Sequence, residues 1–172
     1  MRQEKKERWI QILTLAFSIA LLPPLWAVIC PCFGVSTGAV ALICAGLYVA
    51  NGNNIKNAAK ISTGFIMGDI WAVAALVIME RVHWNGNGTL YITLFVLGAL
   101  AVILGSVLER FIYVPSWLCG WAIGLTIMTP VGIREVHSLP VQIGVAMLAG
   151  IWYVGVGVDL FQKFLLKQLH RK

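Results

Sequence analysis

Apolar positions along this chain come in long blocks separated by short polar segments. Six blocks, at about 9–29, 33–50, 57–80, 89–108, 113–131 and 138–160, read as membrane-crossing helices, because about 20 helical residues cross the hydrocarbon of a bilayer. The breaks carry turn chemistry: Asn51-Gly52-Asn53-Asn54 ends the second block, Asn85-Gly86-Asn87-Gly88 follows the third, and Glu109-Arg110 closes the fourth. Pro23-Pro24 falls inside the first block, where the missing N–H groups predict a kink or a local unwinding. Beyond 160 the pattern becomes amphipathic, so 161–172 reads as a tail. The expected fold is all-α, a polytopic membrane protein of six transmembrane helices in a single domain over 1–172.

Composition agrees with that pattern. The 172 residues are 59% hydrophobic and 12% charged, about half the charge of an ordinary soluble domain. The net charge of +6 does not point to nucleic acid, because the basic residues gather at the two ends. With six spans, eleven of the thirteen Lys and Arg fall on one side: Arg2, Lys5, Lys6, Arg8, Lys56, Lys60, Arg110, Lys163, Lys167, Arg171 and Lys172. Only Arg81 and Arg134 fall on the other. The positive-inside rule then puts both termini in the cytoplasm, and five or seven spans would spoil the asymmetry. Met1–Arg8 is charged, but the long apolar run after it and the lack of a small-residue cleavage site do not fit a removable signal.

The blocks also hint at an internal repeat. Ile70-Trp71-Ala72-Val73 and Ile151-Trp152-Tyr153-Val154 match as I-W-x-V at an offset of 81, while Gly34-x-x-x-Gly38 and Gly120-x-x-x-Gly124 occur in the second and fifth blocks. Three spans per half would give the halves opposite orientations, the inverted 3+3 arrangement common in transporters. On a helical wheel Gly64, Gly68, Trp71 and Ala75 share one face, and small residues there let a second backbone come close. The expected packing positions are Gly34, Gly38, Gly64, Gly68, Trp71, Gly120, Gly124 and Trp152.

One residue opposes the apolar pattern. Asp69 sits midway along the third block, where a charge costs about 2.5–3.5 kcal/mol on insertion, and the wheel turns it away from Gly68 and Trp71. It either braces the bundle through hydrogen bonds or lines a path for a solute. The expected path residues are Asp69, Ser62, Thr126, Gln142, Trp117 and Trp121. The hydroxyls and the amide would partner the carboxylate, and the two indoles would wall a cytoplasmic entrance behind Pro115. Asp159 is placed to pair with Lys163 one turn on.

Other chemistry is sparse. Cys30-Pro31-Cys32 has the thiol pair for a soft metal, with His83 and His137 expected on the same outer side. The spacing has no further ligand cluster behind it, so no metal and no cofactor are expected. No phosphate-binding glycine loop, no H-E-x-x-H and no nucleophile with a spaced base is present, which argues against an enzyme.

Leu25-Trp26-Ala27-Val28, Gly46-Leu47-Tyr48, Ser62 with Trp71-Ala72, and Val114-Pro115-Ser116-Trp117 with Gly120 together carry a family resemblance. Over about residues 20–160 the chain resembles the YcdZ-like family of bacterial inner-membrane proteins, a domain of unknown function. The resemblance implies an inner-membrane protein of about six helices and carries over no catalytic or binding residue.

The expected function is a small-solute channel or transporter of the bacterial inner membrane, a homo-oligomer in the lipid bilayer that takes a small polar or cationic solute. Two alternatives stand beside it. Ala16-x-x-x-Ala20 resembles the helix contact of the six-helix substrate-binding subunits of energy-coupling-factor transporters. A membrane scaffold without transport, with a purely structural Asp69, is the other.

Overall fold

The computed structural model describes residues 2–82 and 85–169, and His83, Arg171 and Lys172 lie outside them. Six helices follow one another: α1 (Arg2–Ile29), α2 (Val40–Ala50), α3 (Ile55–Arg81), α4 (Gly86–Val107), α5 (Val114–Met128) and α6 (Leu139–Leu169). Within α6 the stretch Gly150–Val156 is π-helical, flanked by α-helix on both sides. The expected tail therefore continues the sixth span without a break as far as Leu169.

Among the described residues, four helical stretches are long and apolar enough to cross a membrane: Gln3–Phe33, Ile55–Arg81, Gly86–Val107 and Leu139–Leu169. The other two apolar helices are shorter than the sequence pattern predicts. α2 covers 11 residues and α5 covers 15, so they rise only about 16 and 22 Å at 1.5 Å per residue.

The reason lies in the flanking residues. Cys30–Phe33 forms a 3-10 turn, and Gly34 at φ 72° takes the left-handed conformation that ends it. Ser36, Thr37 and Gly38 then delay α2 until Val40, and Pro130 stands just past the end of α5. Gly34 is thus a turn residue, with open space around it, rather than a packing position. Pro23 and Pro24 cannot donate to the carbonyls of Ile19 and Ala20, yet α1 stays helical from Arg2 to Ile29, and the change to a 3-10 turn comes later, at Cys30.

α3 and α6 form the centre, with 50% and 56% of their spanning windows buried, against 17% and 22% for α1 and α4. α5 lies along α3, and α2 lies along the π-helical part of α6. α1 packs against the end of α6, and α4 against α3 and α5. The outward faces of α1 and α4 are apolar, with Leu13, Phe17, Phe95 and Ile103 exposed, as contact with lipid requires.

Backbone approach sets the two main contacts. A methyl group at Gly68 would collide with the α5 backbone from Trp117 to Trp121, and one at Gly120 would collide with the backbone of Phe65. On the other side of the bundle, a methyl group at Gly150 would strike Ala41 and Cys44 of α2. Such close contact supplies the van der Waals energy that replaces a hydrophobic drive in lipid.

Candidate functional site

Asp69 is the fifteenth of the 27 residues of α3, near the helix midpoint, and is 6% exposed. It points into the junction of α3, α5 and α6. A Cβ added to Gly124 would stand 3.3 Å from Oδ1, and one added to Gly144 would stand 3.9 Å from Oδ2. Two glycines therefore leave the room that the carboxyl group occupies. Oδ1 is buried without a hydrogen-bond partner among the described residues. Such a group inside an apolar bundle asks for a proton, a water, a cation or a solute donor.

The residues expected to partner Asp69 go elsewhere. Ser62 donates to the Ala58 carbonyl at 2.8 Å and accepts from the Trp152 indole at 3.0 Å. Thr126 is exposed and donates to the Ala122 carbonyl on its own helix, 2.8 Å away. Gln142 lies at the start of α6, where Oε1 accepts from Ser36 N at 3.2 Å and Ser36 Oγ at 2.9 Å. Its Nε2 meets Ser138 Oγ at 3.1 Å.

Trp117 and Trp121 are interior residues. Trp117 is fully buried and meets Trp71 edge-on, with ring centroids 5.2 Å apart. Trp121 reaches Gly98 of α4, and neither indole N–H has a partner among the described residues. Trp71 completes this corner by donating to the Leu97 carbonyl at 3.0 Å. Trp152 is 45% exposed and reaches α3 through its indole N–H, while its neighbour Gly150 makes the close packing contact.

The small residues of α6 are what sequence reasoning missed. Gly144, Gly150 and Gly155 receive Ile66, Ala41 and Tyr48 respectively. Their spacings of six and five do not fit the small-xxx-small pattern: Gly144 faces α3, whereas Gly150 and Gly155, five residues apart in the π-helical segment, both face α2.

The two thiols of the Cys30-Pro31-Cys32 motif face different surroundings. Cys30 is buried against Gly38, and Cys32 is exposed. His137 is exposed, 3.7 Å from Glu135. Among the described residues no three His, Cys, Asp or Glu side chains gather as a metal-binding group. Toward the C-terminal end of α6, Lys163 and Asp159 pair at 2.6 Å.

A cleft of about 360 Å³ opens between the start of α3 and the α4–α5 connection. Asn57, Lys60, Ser106, Glu109 and Tyr113 line it, over a floor that includes Ile61 and Val114. The Tyr113 N–H donates to the Lys60 carbonyl at 3.4 Å, joining the two walls.

Long apolar helices around a buried, unpartnered carboxylate define an all-helical membrane protein with a polar centre. The chain belongs to the family described as "Protein of unknown function (DUF1097)", whose model matches residues 16–163. No curated protein and no solved structure matches it.

Proposed function

We propose that this protein carries a small polar or cationic solute across the bacterial inner membrane, with both termini in the cytoplasm and Asp69 as the polar element of the path. The observation that carries the reading is the Asp69 carboxylate, unpartnered at Oδ1 between Gly124 and Gly144 in mid-helix. An ionisable group so placed is costly and is a functional candidate by default.

An inverted 3+3 repeat is part of the same proposal, in a register one residue from the I-W-x-V match, and the pattern of burial supports it. Ile61, Ser62, Gly64, Phe65, Gly68, Asp69, Ala72 and Leu76 of α3 are all buried. So are the residues 82 further on: Ile143, Gly144, Ala146, Met147, Gly150, Ile151, Val154 and Val158. Val40, Ala41, Cys44, Ala45 and Tyr48 of α2 correspond in the same way, 76 residues on, to Ser116, Trp117, Gly120, Trp121 and Gly124. Thr14 and Ser18 of α1 correspond to Thr89 and Thr93 of α4. The contacts correspond too, since Gly68 meets α5 at Trp117–Trp121 and Gly150 meets α2 at Ala41–Cys44. In this register Asp69 pairs with Ile151, so the polar centre belongs to one half only.

Flux of small cations and polar solutes into proteoliposomes, wild type against Asp69→Asn, tests the proposal. Solute entry no faster than in empty vesicles sinks it. A homo-oligomer formed through the exposed apolar faces of α1 and α4 is part of the same proposal, and its mass in detergent or nanodiscs tests that part.

One observation favours a second reading. Ala16 and Ala20 are both exposed on the outer face of α1, free to meet a partner helix as in a substrate-binding subunit of a larger transporter. Co-purification with an ATPase complex would decide for it. Cellular function untouched by Asp69→Asn would instead favour a scaffold.

A further inference from the structure

The cleft at the start of α3 stands apart from Asp69. Its walls are already joined: the Tyr113 N–H donates to the Lys60 carbonyl at 3.4 Å, and a methyl group at Gly64 would collide with Ser116 and the Tyr113 carbonyl. The close α3–α5 contact continues to Gly68, so the cleft is a preformed hollow at one end of that contact. Its 360 Å³ falls at the small end of ligand sites, about 300–1,000 Å³. The two walls carry opposite charge. Half-buried Lys60 stands on the α3 side and Glu109 on the other. They make no ion pair with each other, and among the described residues neither has another charged partner. Polar groups sort in the same way. Asn57 donates to Asn51 Oδ1 at 2.8 Å, which leaves the Asn51 amide N–H groups free to donate. Ser106 spends its proton on the Val102 carbonyl at 2.8 Å, which leaves its oxygen free to accept. Asn51 and Lys60 thus offer donors and positive charge, while Ser106 and Glu109 offer acceptors and negative charge.

Depth says what meets these charges. Lys60 lies about 14 Å along α3 from mid-helix Asp69, at 1.5 Å per residue, close to half of the hydrocarbon thickness of about 30 Å. The cleft therefore lies at the membrane boundary. On either side of Glu109, Val107 and Phe111 are exposed, and at that depth lipid chains cover them. From this placement we infer that the cleft is a headgroup site for a zwitterionic phospholipid with a primary amine, which is the chemistry of phosphatidylethanolamine. The phosphate accepts from the Lys60 ammonium and the Asn51 amide, and the lipid ammonium donates to Glu109 and to Ser106 Oγ. The acyl chains run along Val107 and Phe111. A headgroup with phosphate alone leaves Glu109 unpaired and repels it. A choline headgroup has the right charges but no N–H to donate. Lipid binding here does not depend on the transport reading.

Lipid retention by the delipidated protein in detergent, read by native mass spectrometry, tests the inference. Phosphatidylethanolamine, phosphatidylcholine and phosphatidylglycerol with identical chains are offered in equal amounts. The ethanolamine lipid should be retained about threefold or more over the other two, the scale of one exposed charge contact. Lys60→Met should weaken retention of all three. Glu109→Gln should abolish the preference for ethanolamine over glycerol while leaving the glycerol lipid bound as well or better. Lys56→Gln, an exposed cation one turn from Lys60 and outside the cleft, should change neither. Equal retention of the three lipids by the wild type overturns the inference. So does a preference that survives both Lys60→Met and Glu109→Gln, or a wild-type preference for phosphatidylglycerol, which would mark a plain basic patch. Glycerophosphoethanolamine, the headgroup without its chains, should not displace the lipid at equal concentration. If it does, the cleft takes a soluble phosphate ester and the lipid assignment falls. Glu109 is exposed, so Glu109→Gln keeps the fold and reads the site even where Lys60→Met does not, and the melting temperature of each variant checks this.

Discussion

Asp69 and Gly124 face each other across α3 and α5 so closely that a methyl group on Gly124 would stand 3.3 Å from the carboxylate Oδ1. It would also press on the Ala72 side chain. Gly124→Ala is expected to cost about 1–3 kcal/mol, the usual penalty for overpacking a filled interior, and to slow solute entry. Thermal unfolding in detergent together with proteoliposome flux checks both halves. A variant as stable and active as the wild type would mean that this junction is looser than its geometry.

Asp69→Leu separates stability from function at the same point. Leu has the same number of side-chain heavy atoms as Asp and leaves no buried oxygen without a partner. The melting temperature should rise, reflecting about 1–3 kcal/mol of relieved desolvation, while flux is lost. A fall in stability would show that the carboxylate is a brace.

Trp152 ties the central helices together through its bond to Ser62. Trp152→Phe should destabilise the protein by about 1 kcal/mol, the net worth of one hydrogen bond. Ser62→Ala added to it should then cost little more, because the two changes remove the same interaction. A double-mutant cycle measured by thermal unfolding reads this directly, and full additivity would refute the pairing.

Two glycines inside helices, one exposed and one buried, should respond in opposite senses. Gly46 has open space around its Cβ position, so Gly46→Ala should leave stability unchanged or raise it by up to about 1 kcal/mol through helix propensity. Gly150→Ala drives a methyl group against the Ala41 backbone, which has no rotamer with which to yield. It should cost more than about 2 kcal/mol. Side-by-side melting curves decide the matter.

Much of α3 was legible from spacing alone. Gly64, Gly68 and Trp71 meet α5, and Asp69 lies at the edge of that contact, between Gly124 of α5 and Gly144 of α6. The companions of Asp69 were not legible. Thr126 can satisfy its hydroxyl on its own helix, one turn back, so a polar residue at a suitable depth need not point at another. Gln142 was paired with Asp69 on depth as well, but the late start of α2 brings Ser36 within its reach instead. Trp117 carries the composition of an interface anchor, yet it is fully buried because Trp71 and Ala101 close over it.

By itself the sequence determined the material of the fold: helices, their apolar character, and the turns between them. That follows because a chain this apolar must satisfy its backbone hydrogen bonds within each segment, and the long blocks and Asn-Gly breaks leave little choice. Only the tertiary structure decided how far α2 and α5 extend, which glycines meet which backbone, and that Asp69 faces Gly124 and Gly144. In lipid, apolar side chains suit both the inward and the outward faces of a helix, so periodicity does not mark the partner. Close backbone approach does, and it depends on residues far apart in the chain.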